Sequence, residues 1–309
     1  MELRQIRYFC AVADEMHVTR AAERLRLAQP ALTQQIKALE AELQTQLLRR
    51  VGRGIELTQA GITLWKEGKE LLERARAAAL MTQETGRGLT GRLAIGLTET
   101  ATFATPVTKL LRRTRELWPN VKFSLVQART HDLFAALIER RIDVAFGRSP
   151  APTDPALTWR PFLAEGLVVV VPKGHPLSSR RSVGLSDLAN EDVILPRGRI
   201  TNDAFRSQLI AAISKAGQAA RIVQETPEYV MAVNLVAAGF GLAIVPEALV
   251  GLSRTGVIYR PLHSTPPLRT ELLILFRRGE HSPTALNFIA LAADVAPPDS
   301  PTRRKPKPR

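Results

Sequence analysis

Cysteine is nearly absent from this chain of 309 residues, in which Cys10 is the only thiol. One cysteine excludes an intrachain disulfide framework and any zinc cluster built on thiolates. This usage is typical of a reducing compartment, and we expect the protein in the cytoplasm. Cys10 falls on the predicted buried face of the first helix, a position that indicates packing rather than nucleophilic chemistry.

Long apolar runs are also missing. The N-terminal residues include Glu2 and Arg4 where a signal peptide needs an apolar core. The most apolar stretch, 235–252, contains Pro246 and Glu247 and is no candidate for a bilayer span. The sequence therefore predicts neither a secreted protein nor a membrane protein, and no membrane partner.

Groups that perform enzyme chemistry are few and scattered. The spacing of the five histidines matches no metal site. These histidines are His17, His131, His175, His263 and His281. The sequence contains no glycine-rich phosphate loop and no Gly-x-Ser-x-Gly nucleophile motif. We therefore predict a protein that is not an enzyme and has no metal or other cofactor, with an enzyme built on the C-terminal module as the weaker alternative.

Basic residues outnumber acidic ones, with 43 Lys and Arg against 29 Asp and Glu and a formal net charge of +14. Such an excess indicates a polyanionic partner, most often nucleic acid. Part of the excess lies in segment 297–309, which is rich in proline and basic residues and is predicted to be disordered. An architectural protein that binds DNA without sequence specificity is therefore one alternative to a sequence-specific protein.

Three short helices are predicted at the N-terminus. Leu3, Ile6 and Phe9 recur at helical spacing and give the first helix a buried face. Thr19 stands where the N-cap of a second helix is expected, and Pro30 suits the first turn of a third. The tight break between the last two helices is typical of a helix-turn-helix, although other small helical bundles share this periodicity.

The third helix is followed by a basic, glycine-containing turn. Leu32, Ile36 and Leu39 lie on one predicted face, which leaves the polar side chains of that helix on the others. Residues 49–54 (RRVGRG) then place three arginines and two glycines between short apolar runs. Glycine permits a tight hairpin, and an arginine at its tip reaches a phosphate or a minor groove. The pattern predicts a winged helix, and a solvated loop is the alternative.

One uninterrupted helix is predicted over 58–85. Apolar residues recur in it every seven positions, at Leu57, Leu64, Leu71 and Ala78. At about 1.5 Å per residue, this helix is roughly 40 Å long. A small winged helix cannot bury so long a stripe, so we expect a partner helix from a second subunit. A dimer of this kind would hold two recognition helices at a fixed separation on DNA.

Residues 92–294 alternate short β-branched runs with amphipathic helices. Strands are predicted over 93–97, 121–127, 142–146, 167–171, 193–195, 242–245 and 272–276. Helices are predicted over 106–117, 131–140, 203–216 and 229–238. This alternation predicts largely parallel sheets with helices on both faces. Such sheets bind ligands in the crevice at the carboxyl ends of their strands, against helix N-termini.

The chain resembles LysR-type transcriptional regulators. The resemblance rests on TRAAERLRLAQPALTQQIKALEAEL and LLRRVGRGIELTQAG, and it extends over about residues 2–294. It implies a winged helix-turn-helix DNA-binding domain at 1–57, a linker and dimerisation helix at 58–89, and an effector-binding domain at 90–296. The last is expected to have the type 2 periplasmic-binding-protein fold with two Rossmann-like lobes. Lobe I is expected at about 92–161 with 267–294, lobe II at about 162–266, and the tail at 297–309.

The resemblance implies DNA contacts at specific positions. These are Thr19, Arg20, Gln29, Pro30, Thr33, Gln34, Lys37, Arg50 and Arg53. An amide such as that of Gln34 can pair with adenine, whereas cations such as Lys37 and Arg53 bind phosphates. For the polar residues of the third helix, the alternative is a solvated face without a nucleic-acid role.

The resemblance also implies an effector site between the lobes. Its expected residues are Thr98, Thr100, Thr102, Thr130, Thr201 and Asn202. Hydroxyls and free N–H groups at helix N-termini favour a carboxylate or other small anion, although each threonine has helix capping as an alternative. Arg160 resembles a residue of a second acid pocket in the branch that regulates aromatic-acid and muconate catabolism, and a salt bridge at the lobe edge is the favoured alternative.

The expected function is therefore that of a sequence-specific transcriptional regulator. Its expected partners are double-stranded promoter DNA, a small organic acid or other small anion, and further copies of itself in a homodimer or homotetramer.

Overall fold

The computed structural model describes residues 1–51, 54–196, 204–215 and 221–297. The chain divides into two units, Met1–Glu84 and Thr85–Arg309. In the part of the chain that the structure describes, no helix combines the length and apolar character that a bilayer span requires.

Three helices and a hairpin build most of the N-terminal unit. Their bounds are α1 (Leu3–Glu15), α2 (Val18–Leu25), α3 (Gln29–Leu43), β1 (Leu48–Val51) and β2 (Gly54–Leu57). β1 and β2 pair antiparallel as the predicted wing. The predicted inner faces of α1 and α3 form one core that includes Ile6, Phe9 and Leu32. Leu3, however, is 49% exposed, and Thr19 is not an N-cap because α2 begins at Val18 with His17 at the cap position.

The long helix α4 (Gln59–Gly86) begins where the sequence predicts, because Thr58 caps it. The Thr58 hydroxyl accepts a hydrogen bond from the backbone N–H of Gly61 at 3.0 Å. At Gly61 the helix lies so close to the hairpin that a Cβ atom would stand 2.1 Å from the carbonyl oxygen of Leu47. The start of α4 is therefore fixed against the wing by a contact that only glycine permits.

The side chain of Asp14 joins α1 to α4. Its carboxylate accepts a hydrogen bond from Trp65 Nε1 at 2.9 Å and lies 2.8 Å from the ammonium of Lys69. That ammonium also lies 4.2 Å from the centroid of the Trp65 ring, a cation–π geometry. Partial burial works to raise the pKa of Asp14, but the hydrogen bonds from Lys69 and Trp65 and the charges of Lys69 and Arg24 lower it overall.

Two sheets build the C-terminal unit. The first, in lobe I, has the order β4-β3-β5-β13-β6. Its strands are β3 (Gly91–Leu97), β4 (Val121–Gln127), β5 (Val144–Arg148), β6 (Leu157–Glu165) and β13 (Thr270–Arg277). The helices of this lobe are α5 (Glu99–Phe103), α6 (Thr105–Leu117), α7 (Thr130–Ile138) and α10 (Pro283–Val295). Phe146, Phe162 and Phe288 lie in its core.

The second sheet, in lobe II, has the order β10-β9-β11-β7-β12-β8. Its strands are β7 (Leu167–Pro172), β8 (Val183–Gly184), β9 (Asp192–Pro196), β10 (Arg221–Thr226), β11 (Leu242–Pro246) and β12 (Val257–His263). The α-helices are α8 (Ala204–Lys215) and α9 (Tyr229–Ala237), with short 3-10 helices at Pro176–Ser179, Leu185–Leu188 and Glu247–Gly251.

The prediction of largely parallel sheets was wrong, because both sheets are mixed. β3 pairs in parallel with β4 and β5, whereas β13 runs antiparallel to β5 and β6. The chain passes from β6 to β7 at Gly166 and returns from β12 to β13, and these passages place antiparallel neighbours in each sheet. The lobe boundary predicted at about 161 falls inside β6. β6 and β12 each contain a proline, a residue that argues against a strand, and the sequence pattern therefore did not predict these two strands.

We expect Asp14→Asn to destabilise the N-terminal unit by about 1 kcal/mol at neutral pH, because two charge-assisted contacts to α4 are lost at a partly exposed site. The lowered pKa of Asp14 stabilises the native state above the unfolded pKa of about 3.9, and this contribution is lost as the pH falls through the lower native value. The difference between wild type and variant should therefore vanish in acid. Urea unfolding followed by Trp65 fluorescence, with Trp118 and Trp159 replaced by Phe, measures it.

The matched control is Glu23→Gln, which removes an exposed carboxylate that forms no ion pair within the described residues. It should leave the stability of the unit unchanged at every pH. A loss for Asp14→Asn that persisted at low pH would contradict the electrostatic explanation.

Candidate nucleic-acid interface and ligand crevice

One face of α3 is open to solvent. Leu32, Ile36 and Leu39 anchor the opposite face in the core, so the polar positions between them point outward. Gln34 and Lys37 are exposed, and they form no hydrogen bond or ion pair within the described residues. Gln29 and Pro30 at the start of the helix are exposed as well. Within the described residues of the N-terminal unit, this face of α3 is therefore left uncovered.

Thr33 and Gln29 support each other along α3. The Thr33 hydroxyl donates to the carbonyl oxygen of Gln29 at 3.0 Å and accepts from the Gln29 side-chain amide at 3.0 Å. Thr33 is half-buried. The amide of Gln29 is therefore held in place before any partner binds, which reduces the entropy lost on binding.

The remaining predicted contact residues flank α3. Arg20 donates from Nη2 to the carbonyl oxygen of Glu15 at 2.7 Å, and Thr19 beside it is exposed. Arg49 pairs across the hairpin with Glu56 at 2.6 Å. Arg50 is exposed and forms no ion pair within the described residues. Arg53 lies outside the described residues.

In the C-terminal unit, Arg148 ends β5 at the carboxyl edge of the lobe I sheet, where three elements converge on it. The hydroxyl of Thr130, at the start of α7, accepts from the backbone N–H of Arg148 at 3.0 Å. The hydroxyl of Thr100, in α5, accepts from Arg148 Nε at 3.0 Å. Two of the threonines predicted for the effector site are therefore brought together by one arginine.

Arg148 is also one half of a buried ion pair. Its Nη1 lies 2.5 Å from Glu165 Oε1, and only 12% and 6% of the two side chains are exposed. Neither of these two atoms has a hydrogen-bond partner within the described residues, and the same is true of Arg148 Nη2. Glu165 is held in turn by the backbone N–H of Ala248, which donates to Oε2 at 2.6 Å. The crevice thus contains a buried donor that a ligand can satisfy.

Thr98 provides a second buried polar group without a hydrogen-bond partner among the described residues. It is at the N-cap position of α5, yet its hydroxyl caps no backbone N–H, and its Oγ1 is buried without a partner. Thr102 differs, since its hydroxyl donates to the carbonyl oxygen of Glu99 at 2.6 Å within α5. Thr201 and Asn202 lie outside the described residues.

Lobe I contacts lobe II at the start of α9. Glu99 accepts hydrogen bonds on one carboxylate oxygen from the backbone N–H groups of Tyr229 at 2.9 Å and Val230 at 3.2 Å. Arg129 approaches Glu228 at 3.4 Å and donates to the carbonyl oxygen of Pro227 at 3.3 Å. These contacts join the lobes across the crevice, in addition to the hydrogen bond between Ala248 and Glu165.

Burial raises the pKa of two groups at this contact, Glu99 and Tyr229. It is the main cause of the raised pKa of Glu99, with the charge of Glu228 adding to it and the backbone N–H groups of α9 opposing it. Burial likewise raises the pKa of Tyr229 to about 12, with Arg148 opposing and nearby carboxylates assisting. The phenol of Tyr229 therefore stays neutral near Arg148 and Glu99 at physiological pH.

Arg160 lies apart from these contacts. It is exposed on β6, and its guanidinium carbon is 5.7 Å from the ring centroid of Phe276. No salt bridge to it occurs within the described residues. The second acid pocket that the resemblance implies at Arg160 stays a prediction.

Sequence reasoning missed four residues of the crevice, namely Glu99, Arg129, Arg148 and Glu165. Arg148 had a signal, because it follows a predicted strand at the edge where ligands bind. Glu99 and Arg129 adjoin predicted threonines, but their partners in lobe II are distant in sequence. Nothing in the pattern around Glu165 marks it. Within the described part of the chain, no cluster of His, Cys, Asp or Glu is placed to hold a metal ion.

Two family models match this chain. The model "Bacterial regulatory helix-turn-helix protein, lysR family" matches residues 3–62, and "LysR substrate binding domain" matches residues 86–297. The HTH-type transcriptional regulator BudR of Raoultella terrigena is 33% identical over 291 residues, which cover 94% of this chain and 100% of BudR. The regulator AlsR of Bacillus subtilis is 34% identical over 295 residues, covering 94% and 95%.

Solved structures agree with these relatives. The crystal structure of CbnR, a LysR family transcriptional regulator, is similar with a TM-score of 0.86 and 27% identity, covering 94% of this chain and 100% of CbnR. Full-length CbnR complexed with its target DNA gives a TM-score of 0.84 at 27% identity, with coverage of 96% and 100%. The chain therefore belongs to the LysR family of DNA-binding transcriptional regulators, with an N-terminal helix-turn-helix and a two-lobed substrate-binding domain, and it is not an enzyme.

Proposed function

We propose that this regulator binds promoter DNA through α3 and the β1–β2 wing, and that a small organic anion in the crevice between the lobes controls it. The observation that carries the second part is the buried donor Nη2 of Arg148, which has no hydrogen-bond partner in the described part of the chain. A buried guanidinium with an unsatisfied N–H favours an oxyanion as its partner. Such a protein acts where the genome lies, so we propose a cytoplasmic location.

The DNA contacts are proposed at the open face of α3 and around it. Gln29 and Gln34 have the amide chemistry that reads adenine in the major groove, and the Thr33 methyl group suits thymine. Lys37 and Arg50 are free to neutralise phosphates, and Arg20 lies at the start of α2, where a backbone phosphate is favoured. The sequence adds Thr19, Pro30 and Arg53 to this set. Because amides face outward, we favour specific recognition over architectural binding.

The anion is proposed to bind against lobe I. Thr98 and Arg148 offer groups that have no partner, and Thr100 and Thr130 orient Arg148 from two sides. Thr201 and Asn202 are proposed to complete the site from lobe II. Because lobe II contacts lobe I through Glu99 and Arg129, a ligand that prefers one arrangement of the lobes shifts their equilibrium. The difference between the ligand's affinities for the two arrangements, and not its affinity alone, therefore controls the regulator.

The oligomer is proposed to be a homodimer through α4, and a homotetramer through further contacts. Leu64 and Leu72 of α4 pack on the core of the N-terminal unit, but Leu71 is 41% exposed and Ala78 is exposed as well. These positions continue the predicted heptad stripe. A second α4 helix would bury them.

We expect Gln34→Ala to relax the preference at one or two base pairs, at a cost of about 1–3 kcal/mol for the cognate site. Lys37→Ala should instead weaken binding to every sequence and lower the salt slope by about one phosphate contact. Selection from a random DNA library with the wild-type protein, followed by titrations at several salt concentrations, measures both. Lys109→Ala, on α6, is the charge-matched control and should change neither. Unaltered base preference in Gln34→Ala would refute the recognition-helix assignment.

We expect Thr98→Val to lower affinity for an anionic ligand about tenfold while native stability stays unchanged. The reason is that the Thr98 hydroxyl has no protein partner to lose. Benzoate serves as the probe, with binding followed by the shift in thermal unfolding of the full-length protein. Thr108→Val, which removes an exposed hydroxyl on α6, is the control. Equal benzoate binding by wild type and Thr98→Val would move the pocket elsewhere.

We expect Leu71→Glu to dissociate the oligomer, because a carboxylate in an apolar helix interface loses its hydration without gaining a partner. Static light scattering after size exclusion measures the mass in solution. Lys66→Glu adds the same side chain on the opposite side of α4 and should leave the mass unchanged. Retention of the wild-type mass by Leu71→Glu would argue against α4 as the dimer contact.

A further inference from the structure

One carboxylate in the crevice between the lobes belongs to the protein itself, that of Glu99. Glu99 of lobe I lies at the N-terminus of α9 in lobe II and accepts two backbone hydrogen bonds there. α9 has nine residues, and its first N–H groups with the helix dipole form a favourable place for an anion. In this protein that place is already occupied by Glu99.

The groups that remain for a ligand lie on the other side of the crevice. Thr98 Oγ1 and Arg148 Nη2 are buried and have no hydrogen-bond partner among the residues that the structure describes, and Thr98 is 7% exposed. Both belong to lobe I. The crevice thus offers two positions for anionic groups, of which a side chain fills one and an external anion can take the other.

Among the described residues around the crevice, the charged side chains form ion pairs except for one carboxylate. Arg148 faces Glu165, and Arg129 faces Glu228. Glu99 is in no ion pair within the described residues, and backbone dipoles alone stabilise its charge. A second negative charge on a ligand would therefore meet Glu99 without a cation to compensate it.

We propose that Glu99 is a specificity-determining residue that restricts the crevice to ligands with a single negative charge, so that a monocarboxylate is bound in preference to a dicarboxylate of similar size. This inference rests on the proposed anion site of lobe I and names its ligand class. It argues against a muconate-like diacid as the effector.

Chemical rescue tests the occupied position directly. In Glu99→Ala the N-terminus of α9 loses its carboxylate, and the full-length protein should unfold at a lower temperature than wild type. Acetate at constant ionic strength should restore stability to this variant and stabilise wild type much less. Glu139→Ala, which removes an exposed carboxylate paired with Arg141, is the control and should respond as wild type does. An acetate response in Glu99→Ala no larger than that of wild type would overturn the proposal.

Glu99→Gln removes the negative charge but keeps the size of the side chain. It remains informative if the alanine variant fails to fold. The probes are butyrate and succinate, which have equal carbon number and differ by one carboxylate. Wild type should favour butyrate, and the variant should lose about tenfold of that discrimination in thermal-shift titrations. The proposal would be overturned if Glu99→Gln had the same ratio of butyrate to succinate affinity as wild type. The same holds if the variant gained no response to succinate. Failure of the lobe I site would appear instead in Thr98→Val, and acetate rescue does not depend on that site.

Discussion

The guanidinium of Arg148 is the group on which the C-terminal crevice depends. Removing a charge from water is unfavourable unless ions and hydrogen bonds replace the lost hydration. Glu165 supplies the counter-charge, Thr100 accepts from Nε, and the backbone of Ala248 holds Glu165 in place. These groups come from both lobes, so the arginine makes the crevice a place where lobe position and electrostatics are linked. Within the described residues, its Nη1 and Nη2 nitrogens have no hydrogen-bond partner, and this is the observation that supports the proposed oxyanion.

The ties between the lobes are weak enough to be part of a switch. Arg129 and Glu228 are about 40% exposed, and exposed ion pairs contribute about 1 kcal/mol or less. Glu99 bonds only to backbone groups, and its raised pKa shows that burial costs its charged form some stability. A ligand that binds one arrangement of the lobes more tightly by a few kcal/mol is then sufficient to change which arrangement dominates.

Local patterns predicted the elements, but not the contacts that assemble the crevice. The inner face of α3 follows from the spacing of Leu32, Ile36 and Leu39, and β4 has the predicted bounds, Val121–Gln127. The mixed sheets were not predictable, since the direction of β13 and β6 depends on where the chain passes between lobes. Glu99 and Tyr229 are 130 residues apart, and Glu165 and Ala248 are 83 apart. No periodicity relates such residues, so only the folded structure brings them together.

The joint between α4 and the winged helix is closely packed. At Gly61 the helix touches the backbone of Leu47 with no space for a side chain, and at Gly68 a Cβ atom would meet Ile6 and Cys10. Asp14 adds a polar contact to Trp65 and Lys69 on the same helix. Close backbone packing of this kind does not deform continuously. The start of α4 is therefore fixed against α1 and against the segment that leads into β1.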